Sequence, residues 1–126
     1  MIKNFLIIGC GLIGSSVLRS VAKNKIAKNI FIFDKSKKNL SKIQKLKIPL
    51  KIINNLNSIV SNMDMIIFCT PMSEYEKLIL KIKNFLNKGT LITDVGSTKQ
   101  NALKNVRKNL KNSAVWISSH PIAGSE

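Results

Sequence analysis

The residue types that could carry out chemistry are concentrated in three short segments of this 126-residue chain. His120, the only histidine, opens residues 120–126, and a neutral imidazole is the side chain best suited to accept a proton near pH 7. Residues 94–99, Asp-Val-Gly-Ser-Thr-Lys, contain the hydroxyl of Ser97, and residues 9–14, Gly-Cys-Gly-Leu-Ile-Gly, form a glycine-rich turn. By residue type, the turn could bind a dinucleotide, the imidazole could transfer a proton, and the hydroxyl could donate or accept a hydrogen bond.

The glycine-rich turn has the spacing of a dinucleotide-binding loop. Gly9 permits a tight turn, Gly11 lets the backbone approach a pyrophosphate, and Gly14 lets the following helix pack closely on the strand. Leu12 and Ile13 open that helix, whose free N–H groups and partial positive charge suit phosphates. The pattern is weak evidence by itself, but here it follows an apolar strand and opens a helix, which is the context that the motif requires.

The choice of cofactor depends on Asp34, which lies 20 residues after Gly14 at the end of the second predicted strand. A carboxylate at this place accepts hydrogen bonds from ribose hydroxyls. The same carboxylate repels a 2′-phosphate, so the sequence favours NAD over NADP. Lysines within residues 35–38 could offset the repulsion, so NADP stays possible.

The two cysteines, Cys10 and Cys69, allow two interpretations. Cys10 lies near a helix N-terminus, which can lower the pKa of a thiol, so the pair could be redox-sensitive. Alternatively, both are small apolar side chains that fill space beside the cofactor, and this reading is the favoured one. Their spacing indicates neither a disulfide framework nor a metal site, and we expect a reducing, cytoplasmic location.

Short apolar runs alternate with helical periodicity, the pattern of a parallel sheet covered by helices. Strands are predicted at residues 5–8, 29–33, 51–53, 65–69, 90–94 and 114–118. Helices are predicted at residues 13–22, 37–47, 75–86 and 102–110, the first with an inward stripe of Ile13, Val17 and Val21. We therefore expect an α/β fold with a doubly wound, Rossmann-type parallel sheet of about six strands in the order 3-2-1-4-5-6 and helices on both faces.

This topology predicts where the ligand lies, because open α/β sheets bind ligands outside the carboxyl ends of their strands. Thr70 and Pro71 follow the fourth strand, Ser97 follows the fifth, and His120 follows the sixth. All of them should lie on the same edge as the glycine-rich turn, around the expected nicotinamide.

The formal net charge of +15 raises the question of nucleic-acid binding. However, 19 of the 21 basic residues are lysine, and few aromatic residues lie among them, whereas nucleic-acid sites favour arginine and stacking aromatics. We interpret the charge as a solvated lysine-rich surface and expect no nucleic-acid partner. We also expect no membrane partner, because no apolar run approaches the ~20 residues of a spanning helix.

Two segments resemble motifs of the prephenate and arogenate dehydrogenases: residues 96–99, Gly-Ser-Thr-Lys, and residues 120–126, His-Pro-Ile-Ala-Gly-Ser-Glu. With the glycine-rich turn before them, the resemblance runs over all 126 residues. Thr98 stands where the family usually has valine, and both residue types are β-branched. The resemblance implies a nicotinamide-dependent oxidative decarboxylation of prephenate, or of arogenate, in tyrosine biosynthesis; for prephenate the product is 4-hydroxyphenylpyruvate.

The resemblance also implies residue roles. His120 would hydrogen-bond the ring hydroxyl of the substrate and accept its proton as hydride passes to the nicotinamide. Ser97 would orient that imidazole or the substrate hydroxyl, although by itself it could equally be a helix N-cap. Glu126 would lie at the substrate mouth.

Family members carry a second, all-helical domain, so the resemblance implies that residues 1–126 are a dinucleotide-binding domain that is incomplete at its C-terminus. That further domain would supply an arginine for the substrate carboxylate and the contacts of a homodimer. Residues 1–126 alone would then bind dinucleotide and turn over prephenate poorly. Two alternatives stay open: another dehydrogenase of the β-hydroxyacid or 6-phosphogluconate type, which shares the glycine turn but lacks the pattern of residues 120–126, and a non-catalytic nucleotide-binding module.

Overall fold

The fold is an α/β sheet structure, seen in a computed structural model that describes residues 1–95 and 115–118. The strands are β1 (Ile2–Ile8), β2 (Ala27–Phe33), β3 (Lys51–Ile52), β4 (Met65–Phe68), β5 (Leu91–Asp94) and β6 (Val115–Ser118). The α-helices are α1 (Leu12–Lys23), α2 (Lys37–Gln44) and α3 (Tyr75–Ile82), and short 3-10 helices cover Ser58–Asn62, Met72–Glu74 and Lys83–Phe85.

The sheet has the predicted order β3-β2-β1-β4-β5-β6, and every pair of neighbouring strands is parallel. The register aligns the last residues of five strands in one row across the sheet: Phe33, Ile8, Phe68, Asp94 and Ser118. The segments that follow these strands therefore all begin at the same edge. This row is what positions the candidate site.

The hydrophobic core has two layers, one on each face of the sheet. Leu6 and Ile8 pack on the α3 side, with the buried ring of Tyr75, whereas Phe5 and Ile7 pack on the α1 and α2 side. Alternate residues of β1 thus point to opposite faces, and both faces are covered. An uninterrupted apolar run is the sequence pattern expected of such a strand.

The inward stripe of α1 differs from the prediction. Ile13 is 54% exposed, and the buried residues of this helix are Gly14, Leu18 and Val21. The first turn of α1 lies against the glycine-rich turn rather than over the sheet, so the contact position there is taken by a glycine. Placing Ile13 on the inward stripe was therefore wrong.

Two segments between the main elements also differ from the prediction. The helix predicted to reach residue 47 ends at Gln44, and Lys47 has a left-handed φ of 55° that no α-helix continues. The Ser58–Asn62 helix was not predicted, and its Val60 is fully buried. No helix within residues 1–95 and 115–118 is long and apolar enough to cross a membrane.

Candidate dinucleotide-binding site

Gly9 joins β1 to the turn in a conformation that favours glycine. Its φ is +93°, and its N–H donates to the carbonyl oxygen of Phe33 at 2.8 Å. A Cβ at this position would lie 2.7 Å from Thr70 Cγ2 and 3.0 Å from the Cys69 carbonyl carbon. Gly9 is therefore required by both backbone conformation and the close approach of the β4 end.

Gly14 is required by packing between the helix and the turn. A Cβ on Gly14 would lie 2.0 Å from the carbonyl oxygen of Gly9, which is far inside van der Waals contact. The glycine lets the first turn of α1 rest directly on the backbone of the turn. This fixes the direction in which the N-terminus of α1 points.

Gly11 differs from both, because the folded chain itself does not require a glycine there. Its φ is −70°, and a Cβ would meet no atom closer than Asn39 Nδ2, at 4.0 Å. The missing side chain instead leaves the backbone open to the cleft described below. A ligand group that must approach the backbone closely explains such a glycine.

The N-terminus of α1 provides the donors for an anion. Gly11 is its N-cap, without a side-chain cap, and the first turn contains no acidic residue. Leu12 is 90% exposed and Ile13 is 54% exposed, so neither side chain covers this helix end. The first turn of a helix has backbone N–H groups without intrahelical acceptors and a partial positive charge, which together suit a phosphate.

Asp34 holds the end of β2 against the glycine-rich turn. Its Oδ2 accepts hydrogen bonds from Cys10 N at 2.8 Å, Asn39 Nδ2 at 3.0 Å and Cys10 Sγ at 3.2 Å, and its Oδ1 accepts one from Ser36 N at 2.8 Å. Burial raises the pKa of this carboxyl, but the four hydrogen bonds outweigh it, so the net pKa lies below the ordinary value of 3.8. Asp34 is therefore an ionised group whose oxygens both have protein donors.

A cleft of about 270 Å³ opens in front of this arrangement. Among the predicted site residues, Gly9, Gly11, Asp34, Thr70 and Pro71 line it. It extends between the end of β2 and the segment after β4, on the edge where the strand ends are aligned. Ligands of doubly wound sheets bind at this kind of crevice.

Comparison with known proteins identifies the family of this chain. The sequence profile of the family described as "Prephenate dehydrogenase, nucleotide-binding domain" matches residues 17–126, which is most of the chain. The chain belongs to this family.

The relatives that match this chain are longer than it. A cyclohexadienyl dehydrogenase of Zymomonas mobilis is 29% identical over 98% of the chain, and a prephenate dehydrogenase of Lactococcus lactis is 33% identical over 98%. The chain spans 42% and 35% of their lengths. A solved structure of prephenate dehydrogenase of A. aeolicus in complex with hydroxyphenyl propionate and NAD+ matches this chain with a TM-score of 0.83 and 24% sequence identity. The match covers all of this chain and 44% of the A. aeolicus chain, and it shows that the two share a fold.

Within this nucleotide-binding domain, the two cysteines lie at the turn and at the end of β4, and both are free. Burial, followed by the nearby Asp34, raises the pKa of Cys10 to about 12, and burial, followed by Asp94, raises that of Cys69 to about 12. The suggestion that the helix N-terminus lowers the Cys10 pKa is therefore wrong. The favoured alternative, two small space-filling thiols, agrees with these values, with Cys10 buried and Cys69 half-buried beside the cleft.

Thr70 and Pro71 follow β4 and form the wall opposite Asp34. Thr70 is half-buried, and its Oγ1 is shielded from solvent without a hydrogen-bond partner in the described part of the chain. Pro71 is exposed at the cleft mouth. This hydroxyl, which has one donor and two acceptor sites, is therefore unpaired at the wall of the cleft within the described residues.

Three predicted site residues of the family motifs, Ser97, His120 and Glu126, lie outside the described residues. Three residues before Ser97 in the sequence, the structure describes Asp94, which is 1% exposed and accepts a hydrogen bond from the Tyr75 hydroxyl at 3.3 Å. This buried carboxylate was not singled out in the sequence. Its position at the end of an apolar strand was the available signal.

Sequence reasoning also missed two residues of the cleft, Asn39 and Glu74. The spacing of Ser36 and Asn39 is a helix N-cap pattern, and Asn39 N does donate to Ser36 Oγ at 3.2 Å. Nothing in that local pattern indicates that the Asn39 amide would reach Asp34. Glu74 comes to the cleft only through the order of the strands.

Proposed function

We propose that this chain binds NAD across the glycine-rich turn and supplies the cofactor half of an oxidative decarboxylation of prephenate or arogenate. The observation that carries the proposal is Gly11. Folding requires glycine at Gly9 and Gly14, but a Cβ at Gly11 has room in the protein and would occupy only the cleft. The uncapped N-terminus of α1 beside it supports a pyrophosphate at this place.

The residues that fit the cofactor have distinct roles in the proposal. The N–H groups of the first turn of α1, from Leu12 onward, would bind the pyrophosphate. Asp34 would accept from a ribose hydroxyl at Oδ1, which has one protein donor and so keeps a lone pair open. Thr70 and Pro71 would bound the ribose and nicotinamide half of the cleft. NAD+, when bound, supplies the acceptor for a hydride.

The chemistry proposed for the catalytic residues follows from the family resemblance. His120 would accept the proton of the ring hydroxyl as the adjacent C–H bond breaks and its hydride leaves, which forms a ring ketone. The bond from the ring to the carboxylate then breaks, carbon dioxide leaves, and the retained electron pair makes the ring aromatic. The resulting phenolate takes back the proton from His120, with Ser97 orienting the imidazole and Glu126 at the substrate mouth.

The proposal extends to partners and location. The substrate is a small dicarboxylate, and we propose a homodimer formed through the helical domain that the resemblance implies, with neither nucleic acid nor membrane as a partner. Lysine-rich charge without interleaved aromatic residues supports the absence of a nucleic-acid site. Free thiols at Cys10 and Cys69 support a reducing, cytoplasmic location.

Isothermal titration calorimetry with NAD tests the binding half of the proposal. Gly11→Ala should weaken NAD binding by at least about 30-fold, since a methyl group would exclude a pyrophosphate that must approach the backbone closely. The melting temperature without ligand should stay within about 2 °C of wild type, because the methyl group meets no close neighbour. Gly89→Ala, at an exposed position with no atom within 4 Å of the added Cβ, is the matched control.

His120→Asn tests the catalytic half by the same titration and by an assay of NADH formation from prephenate, with the proposed helical domain present, because residues 1–126 alone are expected to turn over prephenate poorly. The variant should bind NAD as wild type does and lose at least about 100-fold in turnover, the contribution of a positioned general base. Unchanged NAD affinity in Gly11→Ala would refute the binding site. Unchanged turnover in His120→Asn would refute the assigned base alone.

A further inference from the structure

The charges that line the cleft are unusual for this chain. Among residues 1–95 and 115–118, two carboxylates, Asp34 and Glu74, and one ammonium group, Lys35, line it, and together they carry one net negative charge. The chain as a whole carries +15, and only six of its residues are acidic. A locally negative cleft in so basic a protein disfavours a ligand with extra phosphate charge at this point.

Lys35 and Glu74 form an ion pair across the mouth of the cleft. Lys35 Nζ lies 3.5 Å from Glu74 Oε1, and this is the one salt bridge found within residues 1–95 and 115–118. Lys35 follows β2, whereas Glu74 ends the Met72–Glu74 helix after β4, so the pair connects the two walls of the cleft. Its side chains are 53% and 35% exposed, and such exposed pairs contribute little stability. The pair therefore adds little to the free energy of unfolding.

Asp34 is not the carboxylate that pairs with Lys35. Its two oxygens already accept four hydrogen bonds from Cys10, Ser36 and Asn39. Lys35 is the one cation that the described part of the chain places along the cleft, and Glu74 is its partner. Whichever anion holds Lys35 determines whether this ammonium group is available to a ligand.

We propose that Glu74 is a specificity-determining residue that disfavours NADP by holding Lys35 away from the 2′-phosphate. The inference rests on the proposed function, since it concerns the adenosine half of the same dinucleotide site. The residue beside the ribose-binding carboxylate is where NADP-dependent Rossmann domains place the cation for this phosphate. NAD has a hydroxyl there instead, so its affinity is indifferent to the state of Lys35.

The experiment is calorimetric titration of the intact chain with NAD and with NADP at about 50 mM ionic strength, where exposed charges are only partly screened. Glu74→Gln should tighten NADP binding by about 3–10-fold, the effect of freeing one cation beside a phosphate near a protein surface. Its NAD affinity should change by less than about twofold. Lys35→Gln should weaken NADP binding less in the wild-type background, where Glu74 already holds the ammonium group, than in the Glu74→Gln background, and it should leave NAD binding unchanged.

The double variant Glu74→Gln with Lys35→Gln is the decisive comparison. If Glu74 acts by holding Lys35, its substitution should bring no NADP gain once Lys35 is absent. Glu76→Gln, on the exposed face of α3, and Lys38→Gln, in the first turn of α2, are matched charge controls that do not line the cleft. Both should leave the ratio of NADP to NAD affinity within about twofold of wild type.

Three outcomes would overturn the inference: no NADP gain in Glu74→Gln, the same gain in the Lys35→Gln background, or an equal gain in Glu76→Gln. These outcomes leave the proposed function intact, provided that the wild-type chain binds NAD. Loss of NAD binding in the wild-type chain would instead refute the proposed function itself.

Discussion

Asp34 stabilises the glycine-rich turn before any ligand binds. Its carboxylate joins the turn at Cys10 to the start of α2 at Ser36 and Asn39, through hydrogen bonds of 2.8–3.2 Å. A dinucleotide loop that the protein already holds in place loses less conformational entropy when it binds its ligand. At the residue scale, the carboxylate therefore has a structural role as well as the ribose contact proposed for it.

The lowered pKa of Asp34 predicts how stability depends on pH. Because the folded-state pKa lies below 3.8, the ionised carboxylate stabilises the fold above that value, and the contribution is lost as pH falls through the folded-state pKa. Asp34→Asn should lower the free energy of unfolding at pH 7 by about 1–3 kcal/mol, since an amide NH₂ faces donors. Urea denaturation between about pH 2 and pH 7 measures both quantities.

The difference between wild type and Asp34→Asn should be constant above about pH 5 and shrink below about pH 4. In this difference, the contributions of all other carboxyl groups cancel, provided that they titrate alike in both proteins. A difference that stays constant down to pH 2 would contradict the stabilising role of the charge.

At the scale of elements, the contact between α1 and the turn depends on Gly14. A Cβ there would lie 2.0 Å from the Gly9 carbonyl oxygen, and backbone cannot yield as a flexible side chain can. Gly14→Ala should therefore lower the free energy of unfolding by about 3 kcal/mol or more, through overpacking. Guanidinium denaturation followed by circular dichroism measures the change.

Gly89→Ala again serves as the control, because its added methyl group meets no atom within 4 Å and removes only unfolded-state freedom. It should be neutral or stabilising by a few tenths of a kcal/mol. If Gly14→Ala were as stable as this control, the close approach of α1 to the turn would be wrong.

At the scale of the whole molecule, the net charge of +15 should make stability depend on salt. Like charges repel across the folded surface, and added salt weakens this repulsion. Salt also weakens attractive pairs, but the described residues contain one salt bridge, so little stability is lost in this way. Raising sodium chloride from about 20 mM to about 200 mM should raise the melting temperature by about 3–6 °C, because the Debye length falls below about 10 Å. Differential scanning calorimetry without ligand measures this shift.

Sucrose at matched osmolality controls for general solute effects, which act through exclusion from the protein surface rather than through screening. A melting temperature that does not rise with salt would show that the lysines are too far apart to destabilise the fold.

Much of the fold was predictable because apolar runs and glycine spacing reflect local requirements of strands, helices and turns. The strand order, the strand–turn–helix at Gly9 to Gly14, and the position of Asp34 all follow from periodicity and known chain topology. Ile13 was misplaced for a local reason as well, since hydrophobic periodicity cannot tell that the first turn of α1 faces a backbone instead of a side-chain core. The roles of Ser97, His120 and Glu126 remain predictions.

The sequence by itself determined the fold class, the family and the glycine-rich turn, because each depends on the types and spacing of residues that are close together in the sequence. Only the tertiary structure decided that Asp34 holds Cys10 and Asn39, that both thiols have raised pKa values, and that Lys35 meets Glu74. Lys35 and Glu74 are 39 residues apart in the sequence. They meet because β2 and β4 lie on either side of β1 and the ends of the three strands are in register. Burial and contact of this kind depend on how strands are ordered in space, which no local pattern of residues contains.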